Sequence, residues 1–185
     1  MKKVLGCLIA LILILGFAEM TWASPITFTD TTQFYANHTD PAEDLVSYGG
    51  DFVNELEWFR DHVKWTHHFD FVPPAAKVLS GTLTVWLRDD GDNCCLFPWE
   101  FGFGWAEDGT WDFGEVDTGD YSYNVTASYL EDGEFTISLW SKGGDFYIDK
   151  SELEITYNPV PVPATLLLLG SGLIGLANFR KRFKK

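Results

Sequence analysis

Basic side chains are scarce through most of this 185-residue chain. It contains 13 lysines and arginines against 27 aspartates and glutamates, which gives a formal net charge of −14. Seven of the basic residues lie at residues 2, 3 and 180–185, so residues 24–158 hold six basic side chains and 26 acidic ones. A nucleic-acid binder needs a basic surface to neutralise phosphate. The composition therefore argues against nucleic acid as a partner.

Cysteine is also rare, with three residues in the chain. Cys7 lies in the N-terminal apolar segment, while Cys94 and Cys95 are adjacent. An isolated pair tends to oxidise outside the cytoplasm, and adjacent cysteines close only a small, strained ring. A Cys94–Cys95 disulfide, a bridge between chains and two buried thiols remain open, and we favour such structural roles. A nucleophilic cysteine would need a base such as His67 or His68 nearby, which the sequence does not provide.

No long amphipathic helix interrupts the middle of the chain. The best helical spacing lies between Phe52 and Val63, and a helix is not the favoured structure there. Elsewhere, apolar and polar residues alternate with period two, which is typical of half-buried strands. The inward-facing sets that this alternation predicts are Trp65, His67, Phe69 and Phe71; Leu79, Gly81, Leu83, Val85 and Leu87; Tyr121, Tyr123, Val125, Ala127 and Tyr129; Phe135, Ile137 and Leu139; and Leu153, Ile155 and Tyr157.

Turn-forming dipeptides separate these segments. They are Asp90-Gly91, Asp108-Gly109, Asp132-Gly133 and Gly143-Gly144. Asp-Gly pairs favour tight hairpins, so we expect eight or nine strands in residues 24–158. Strands of this number and spacing predict an all-β domain, an antiparallel β-sandwich of jelly-roll-like type. A domain of this size buries a core of its own without extra staples.

Residues 1–23 have the pattern of a secretory signal. Lys2 and Lys3 precede an apolar run from Val4 to Ala18, and small residues at 21 and 23 suit cleavage before Ser24. We therefore expect a signal helix followed by an exported mature chain. An uncleaved N-terminal anchor is the alternative, although the run is short for a bilayer of about 30 Å.

Residues 159–185 have the pattern of a second membrane segment. Prolines at 159, 161 and 163 end any strand, and residues 160–179 carry no charge over 20 positions, about one bilayer crossing. The residues expected to form the membrane anchor are Leu166, Leu167, Leu168, Leu169, Gly170, Leu173, Ile174 and Leu176. The basic residues expected to stop transfer are Arg180, Lys181, Arg182, Lys184 and Lys185. Basic residues stay on the cytoplasmic side, so the acidic body lies outside the cytoplasmic membrane.

The order of these features resembles the PEP-CTERM sorting signal of bacterial surface proteins. The residues that match its motif are Pro161, Val162, Pro163, Ala164 and Thr165, followed by the apolar helix with Gly170-Ser171-Gly172 and the basic end. Val162 stands where that family has glutamate. The resemblance implies cleavage near this motif by an exosortase, a membrane-embedded protease. A plain tail anchor is the alternative.

The body also resembles the uncharacterised β-sandwich modules that accompany such tails. The similar segments are Trp65–Ala76, which precedes a strand ending at Leu87–Asp90, and later Gly144–Ile148 and Ser151–Ile155. This resemblance implies architecture and location and carries no known activity. We expect an exported protein, first anchored in the membrane and then at the cell surface or in the extracellular matrix, with a structural or adhesive body.

Tryptophan is frequent in the predicted mature body. Trp86 lies on the polar register of its strand and Trp140 lies opposite Leu139, so both are candidates for stacking on sugar rings. The alternative is packing against the two sheets. A carbohydrate-binding module for exopolysaccharide, with calcium as a candidate cofactor, is therefore our second interpretation.

Acidic side chains crowd one turn, where Asp89, Asp90 and Asp92 are candidate calcium ligands. The segment lacks the glycine and closing glutamate of an EF-hand, and a solvated acidic turn is the alternative.

His67 and His68 are consecutive in a strand and face opposite sides, so they do not form a metal site. Glu100 and Glu115 are a carboxylate pair of the glycosidase type, but acids are so numerous that such pairs arise by chance. We therefore expect no enzyme.

Overall fold

The alternating segments fold as β-strands. The computed structural model describes residues 24–91 and 99–161. In those ranges the strands are β1 (Ile26–Tyr35), β2 (His38–Asp40), β3 (Leu45–Gly49), β4 (Glu55–Glu57), β5 (His62–His68), β6 (Ala75–Asp89), β7 (Phe101–Ala106), β8 (Gly109–Glu115), β9 (Gly119–Val125), β10 (Glu134–Gly143) and β11 (Asp145–Pro159). Short 3₁₀ helices lie at Ala42–Asp44, Trp58–Arg60 and Ala127–Leu130.

The strands form two sheets in which every pairing is antiparallel. The first sheet has the order β2-β1-β11-β6-β9, with β4 also paired to β11. The second sheet has the order β3-β5-β10-β7-β8. The chain passes repeatedly from one sheet to the other, as in double-sheet jelly rolls. The predicted antiparallel β-sandwich is confirmed.

The core lies between the sheets and is built from the inward registers. Gly81, Leu83, Val85 and Leu87 alternate inward along β6, and the predicted sets in β10 and β11 are likewise buried. Each buried aliphatic or aromatic side chain contributes about 1.5–3 kcal/mol relative to its exposed state. This burial is what favours the alternating registers over their shifted alternatives.

Two residues depart from the predicted inward sets. Leu79 is 40% exposed, because β6 is irregular relative to β11 where Thr156 gives way to Tyr157. Tyr129 is 42% exposed, because β9 ends at Val125 and the chain turns into the third 3₁₀ helix. In both segments the regular alternation of buried and exposed residues covers a shorter stretch than predicted.

The segment from Phe52 to Val63 is not a helix. It contains β4, the 3₁₀ turn at Trp58–Arg60 and the start of β5. Trp58 has φ 56°, a left-handed conformation that a continuous α-helix does not contain. Leu56 and Val63 are buried while Phe59 is 72% exposed, so the helical spacing does not mark a common buried face.

The glycine dipeptides form different kinds of turn. Asp108-Gly109 connects β7 and β8 as a hairpin, as predicted. Gly143-Gly144 instead carries the chain from β10 in the second sheet to β11 in the first, with both glycines at positive φ. Gly143-Gly144 is thus a turn, as predicted. The hairpin predictions were wrong for Asp90-Gly91 and Asp132-Gly133, because the chain passes from the first sheet to the second at each of them.

Residues 25–159 form one compact unit. The predicted signal segment 1–23, the residues 162–185 of the sorting, anchor and basic segments, and Asp92, Cys94 and Cys95 lie outside the described residues. Within residues 24–91 and 99–161, no helix has the length and apolar character needed to cross a membrane.

Candidate functional site

A serine, a histidine and an aspartate form a hydrogen-bonded chain between the sheets. His67 Nδ1 lies 2.7 Å from Asp30 Oδ2, and His67 Nε2 lies 2.9 Å from Ser151 Oγ. Asp30 is in β1 and Ser151 in β11 of the first sheet, while His67 is in β5 of the second. The order of groups is that of a hydrolase triad.

The histidine and the serine of this hydrogen-bonded chain are fully buried in the core. His67 and Ser151 are both 0% exposed, and neither lines a surface cavity described for residues 24–91 and 99–161. The Trp65 indole N–H lies 3.4 Å from His67 Nε2, on the side that faces Ser151. A substrate carbonyl has no approach to the Ser151 hydroxyl, so the arrangement joins the sheets and satisfies buried polar groups.

A second buried pair lies close by. The Thr32 hydroxyl donates to Asp44 Oδ2 at 2.5 Å, and both side chains are buried. Burial raises the pKa of Asp44, since it removes water from the charged carboxylate, and the nearby Asp30 carboxylate adds to the effect. The pair connects β1 to the first 3₁₀ helix beside the second sheet.

Exposed aromatic side chains gather at the Gly143-Gly144 turn. Trp58, Phe59 and Trp99 are 58%, 72% and 56% exposed. The Trp58 backbone N–H donates to the Gly144 carbonyl at 2.9 Å. A Cβ on Gly144 would meet the Trp99 carbonyl oxygen at 2.9 Å, so this backbone segment also packs on the turn. We call Trp58, Phe59 and Trp99 the aromatic tip.

A shallow cavity adjoins the aromatic tip. Its volume is about 420 Å³ and it is lined by Gly50, Asp51, Glu57, Trp58, Phe59 and Asp61. The pKa of Glu57 is raised, first by desolvation and then by the carboxylates of Glu55, Asp61 and Asp51. Aromatic rings beside hydrogen-bond acceptors can stack on a sugar ring and accept its hydroxyl protons.

An acidic cluster lies where β6 ends and β7 begins. Single carboxylate oxygens of Asp89, Asp90 and Glu100 all lie within 4.8 Å of one another. Glu100 is 8% exposed, and its Oε2 has no hydrogen-bond partner among the described residues. Desolvation, together with the charges of Asp89 and Asp90, raises the pKa of Glu100 to about 8.

The sequence found two members of this cluster and missed the third. Asp89 and Asp90 are adjacent in an acidic turn, whereas Glu100 immediately precedes β7, which belongs to the other sheet. Sequence spacing carries no signal for a contact between sheets. Asp92, the third predicted ligand, lies outside the described residues.

Trp86 and Trp140 occupy the outer faces of different sheets. Trp86 pairs across strands with Lys150, whose Nζ lies 3.6 Å from the centre of the indole ring. Trp140 stacks on His62, with ring centroids 4.4 Å apart and planes 19° apart. Both side chains are half-buried. They therefore cannot contribute to one shared binding surface.

The outer face of the second sheet carries further aromatic rings. Trp140 pairs with Phe103, and the neighbouring Trp105 is 59% exposed. Lys142 Nζ lies 4.4 Å from the Phe103 ring centre. This face offers an exposed tryptophan away from the Gly143-Gly144 turn, which makes Trp105 a matched control for the aromatic tip.

Solved structures with a similar course of the chain are known. The CBM36-1 domain of a multidomain xylanase from the hindgut metagenome of Trinervitermes trinervoides is 17% identical, with a TM-score of 0.40, covering 68% of this chain and 96% of that one. The C-terminal CBM6 of LamC, a marine laminarinase from Zobellia galactanivorans, is 12% identical, with a TM-score of 0.35 and coverages of 69% and 98%. FlhE is 7% identical, with a TM-score of 0.38 and coverages of 74% and 99%. These values are too low to assign a ligand or function to this chain.

The comparison with protein families concerns the C-terminal end of the chain. No curated protein matches the sequence. Residues 159–182 match the family model described as the PEP-CTERM protein-sorting motif. The match contains the predicted motif Pro161–Thr165 and begins at Pro159, the last residue of β11. The resemblance of the C-terminal segment to the PEP-CTERM sorting signal is thus confirmed for residues 159–182.

Proposed function

We propose that the β-sandwich is a non-catalytic adhesive body of the bacterial cell surface or extracellular matrix. In this proposal residues 1–23 direct export, residues 166–176 hold the protein in the membrane, and an exosortase cuts near Pro161–Thr165. Residues 180–185 remain on the cytoplasmic side as the basic stop. The observation that carries the proposal is the aromatic tip, which lies at the opposite end of β11 from Pro159.

The length of β11 separates the two ends. The strand runs from Asp145, beside the Gly143-Gly144 turn, to Pro159, where the sorting motif begins. Fourteen residue steps of about 3.3 Å correspond to about 45 Å. The aromatic tip therefore lies about one length of β11 away from Pro159 within the body.

Exposed aromatic residues support adhesion on physical grounds. A large apolar surface in water is costly, and contiguous patches of it typically mark interaction sites. Tryptophan also provides much contact area for little loss of side-chain entropy, and it is enriched among residues that dominate binding energy. Trp58 has the added cost of a left-handed backbone, a conformation that persists only where surrounding contacts enforce it.

Sorting is tested by the intact mass of the protein recovered from cells and medium. We expect a surface or secreted form that begins near Ser24 and ends between Pro161 and Thr165. Replacing Pro161 and Pro163 by alanine is expected to leave an uncut, membrane-bound form, while Pro74→Ala in the body leaves processing unchanged. A wild-type protein that retains Lys185 in the membrane would instead establish a plain tail anchor.

Adhesion is tested on the tip itself. We expect Phe59→Ala and Trp99→Ala to reduce attachment of the displayed protein to matrix material by about tenfold, as for hot-spot aromatic residues. Trp105→Ala is the matched control and is expected to retain attachment. Equal retention by all three variants, at equal surface amounts, would contradict the proposed role of the tip.

Carbohydrate binding is the second candidate, and the cavity beside Trp58 and Phe59 favours it. Its carboxylates are placed beside the rings, where they accept hydrogen bonds from sugar hydroxyls. Calorimetric titration with exopolysaccharide is expected to show binding that Phe59→Ala weakens, with no new reducing ends. Loss of binding in Trp86→Ala or Trp140→Ala alone would move the sugar site to a sheet face, and product formation would indicate a glycosidase.

A further inference from the structure

We propose that Asp89, Asp90 and Glu100 form a calcium site that links the end of β6 to the start of β7. The proposal concerns a cation bound to the folded body and does not depend on the ligand of the aromatic tip. It replaces the predicted set Asp89, Asp90 and Asp92 by a set that joins the two sheets.

The spacing of the oxygens suits one shared ion. Calcium binds oxygen at about 2.3–2.6 Å, so two oxygens on opposite sides of one ion are about 4.6–5.2 Å apart. One carboxylate oxygen from each of the three residues lies within 4.8 Å of the other two. An ion at their centre therefore needs only small side-chain adjustments.

The buried oxygen of Glu100 is the second and independent observation. Its residue is 8% exposed, and Oε2 is buried with no hydrogen-bond partner among the described residues. In the ionised state this buried oxygen has no donor that replaces its lost water, and a coordinated cation would take that place. The exposed Asp89 alone would carry no such implication, because solvent satisfies it.

The neighbouring backbone holds the ligands in place. Asp89 Oδ1 accepts the Gly91 N–H at 2.7 Å, and the Asp89 N–H donates to Thr118 Oγ1 at 3.1 Å. The Glu100 carbonyl accepts the Val116 N–H at 2.7 Å. These bonds fix both ends of the cluster, so it is organised before an ion arrives. Hard carboxylate oxygens select calcium or magnesium over softer metals.

The test is terbium luminescence and thermal unfolding of the purified full-length chain in detergent. Trp99 is adjacent to Glu100, so excitation of tryptophan is expected to sensitise bound Tb³⁺, and calcium is expected to displace it. Millimolar calcium is expected to raise the unfolding midpoint by about 5 °C relative to chelator, and equimolar magnesium by less.

Variants separate a site from general charge screening. Glu100→Gln keeps the shape and is expected to abolish both the luminescence and the calcium shift, and Asp90→Asn serves if Glu100→Gln fails to fold. Asp132→Asn is the matched control, because Asp132 caps its own turn through the Glu134 N–H. No calcium shift in the wild type, or an equal shift in Glu100→Gln or Asp90→Asn and the wild type, overturns the proposal.

Discussion

His67 Nδ1 lies 2.7 Å from Asp30 Oδ2, and this contact joins β5 of one sheet to β1 of the other. His67 is fully buried, and its second ring nitrogen is occupied by Ser151. The imidazole therefore bridges two polar groups across the core. Its role is cohesion between the sheets.

Removal of this imidazole tests that role. We expect His67→Ala to lower the free energy of unfolding by about 2–4 kcal/mol, because it leaves a cavity and two polar groups without partners. His68→Ala, one residue along the same strand and exposed, is expected to change it by less than about 0.5 kcal/mol. Urea unfolding measures both, and equal effects would show that the bridge is not stabilising.

Glu100 predicts how stability depends on pH in the cation-free protein. Its pKa is about 8 in the folded chain against 4.5 without burial, so the folded state holds the extra proton between these values. Stability contributed by that proton is complete below about pH 4.5 and is lost as the pH rises to about 8. Unfolding midpoints in chelator should fall over this range, less so in Glu100→Gln.

The control for this pH profile is Glu115→Gln, an exposed glutamate in β8. It should reproduce the wild-type profile, because Asp44 and the other buried acids are unchanged. A Glu100→Gln profile parallel to the wild type would show that Glu100 does not hold the extra proton.

The turn has no room for a side chain at Gly144. It has φ 73°, and a Cβ there would lie 2.8 Å from Glu100 Cα and 2.9 Å from the Trp99 carbonyl oxygen. Backbone atoms cannot rotate away, so Gly144→Ala is expected to destabilise the fold by about 2 kcal/mol or more. Gly119→Ala is the control, since its added methyl meets nothing within 4 Å. Thermal unfolding measures both changes.

Alkylation tests the oxidation state of Cys94 and Cys95. If the pair is oxidised, the exported protein resists iodoacetamide until it is reduced and then takes up two groups. A protein on a non-reducing gel at twice the chain mass would indicate the bridge between chains instead. Two groups added without reduction would establish free thiols.

The sequence predicted what is local and periodic. The inward registers of β10 and β11 follow directly from alternation, because one shifted residue would expose every apolar side chain. Leu79 and Tyr129 were placed wrongly because a strand irregularity and a 3₁₀ turn break the period without a local marker.

Contacts between sheets were beyond the reach of the sequence. His67 was expected on the inward face and is buried there, but its partners Asp30 and Ser151 lie 37 and 84 residues away in sequence. Glu100 likewise lies near Asp89 only because of the sheet topology, which sequence spacing does not indicate. The sorting motif was found because its order of proline, apolar and basic residues lies within one short segment.

The course of β11 also determines how the body bears a mechanical load. The strand begins beside the aromatic tip and ends where the sorting motif starts, and it pairs with β6 from Phe146 to Pro159 and with β1 from Lys150 to Tyr157. In the proposed function, a force applied between the bound aromatic tip and the attached C-terminal segment acts along this strand. Such a force shears many interstrand hydrogen bonds at once, whereas a pull across the strand would peel them one after another. If the proposed adhesion and tethering hold, tension between them would load β11 in shear against β6 and β1.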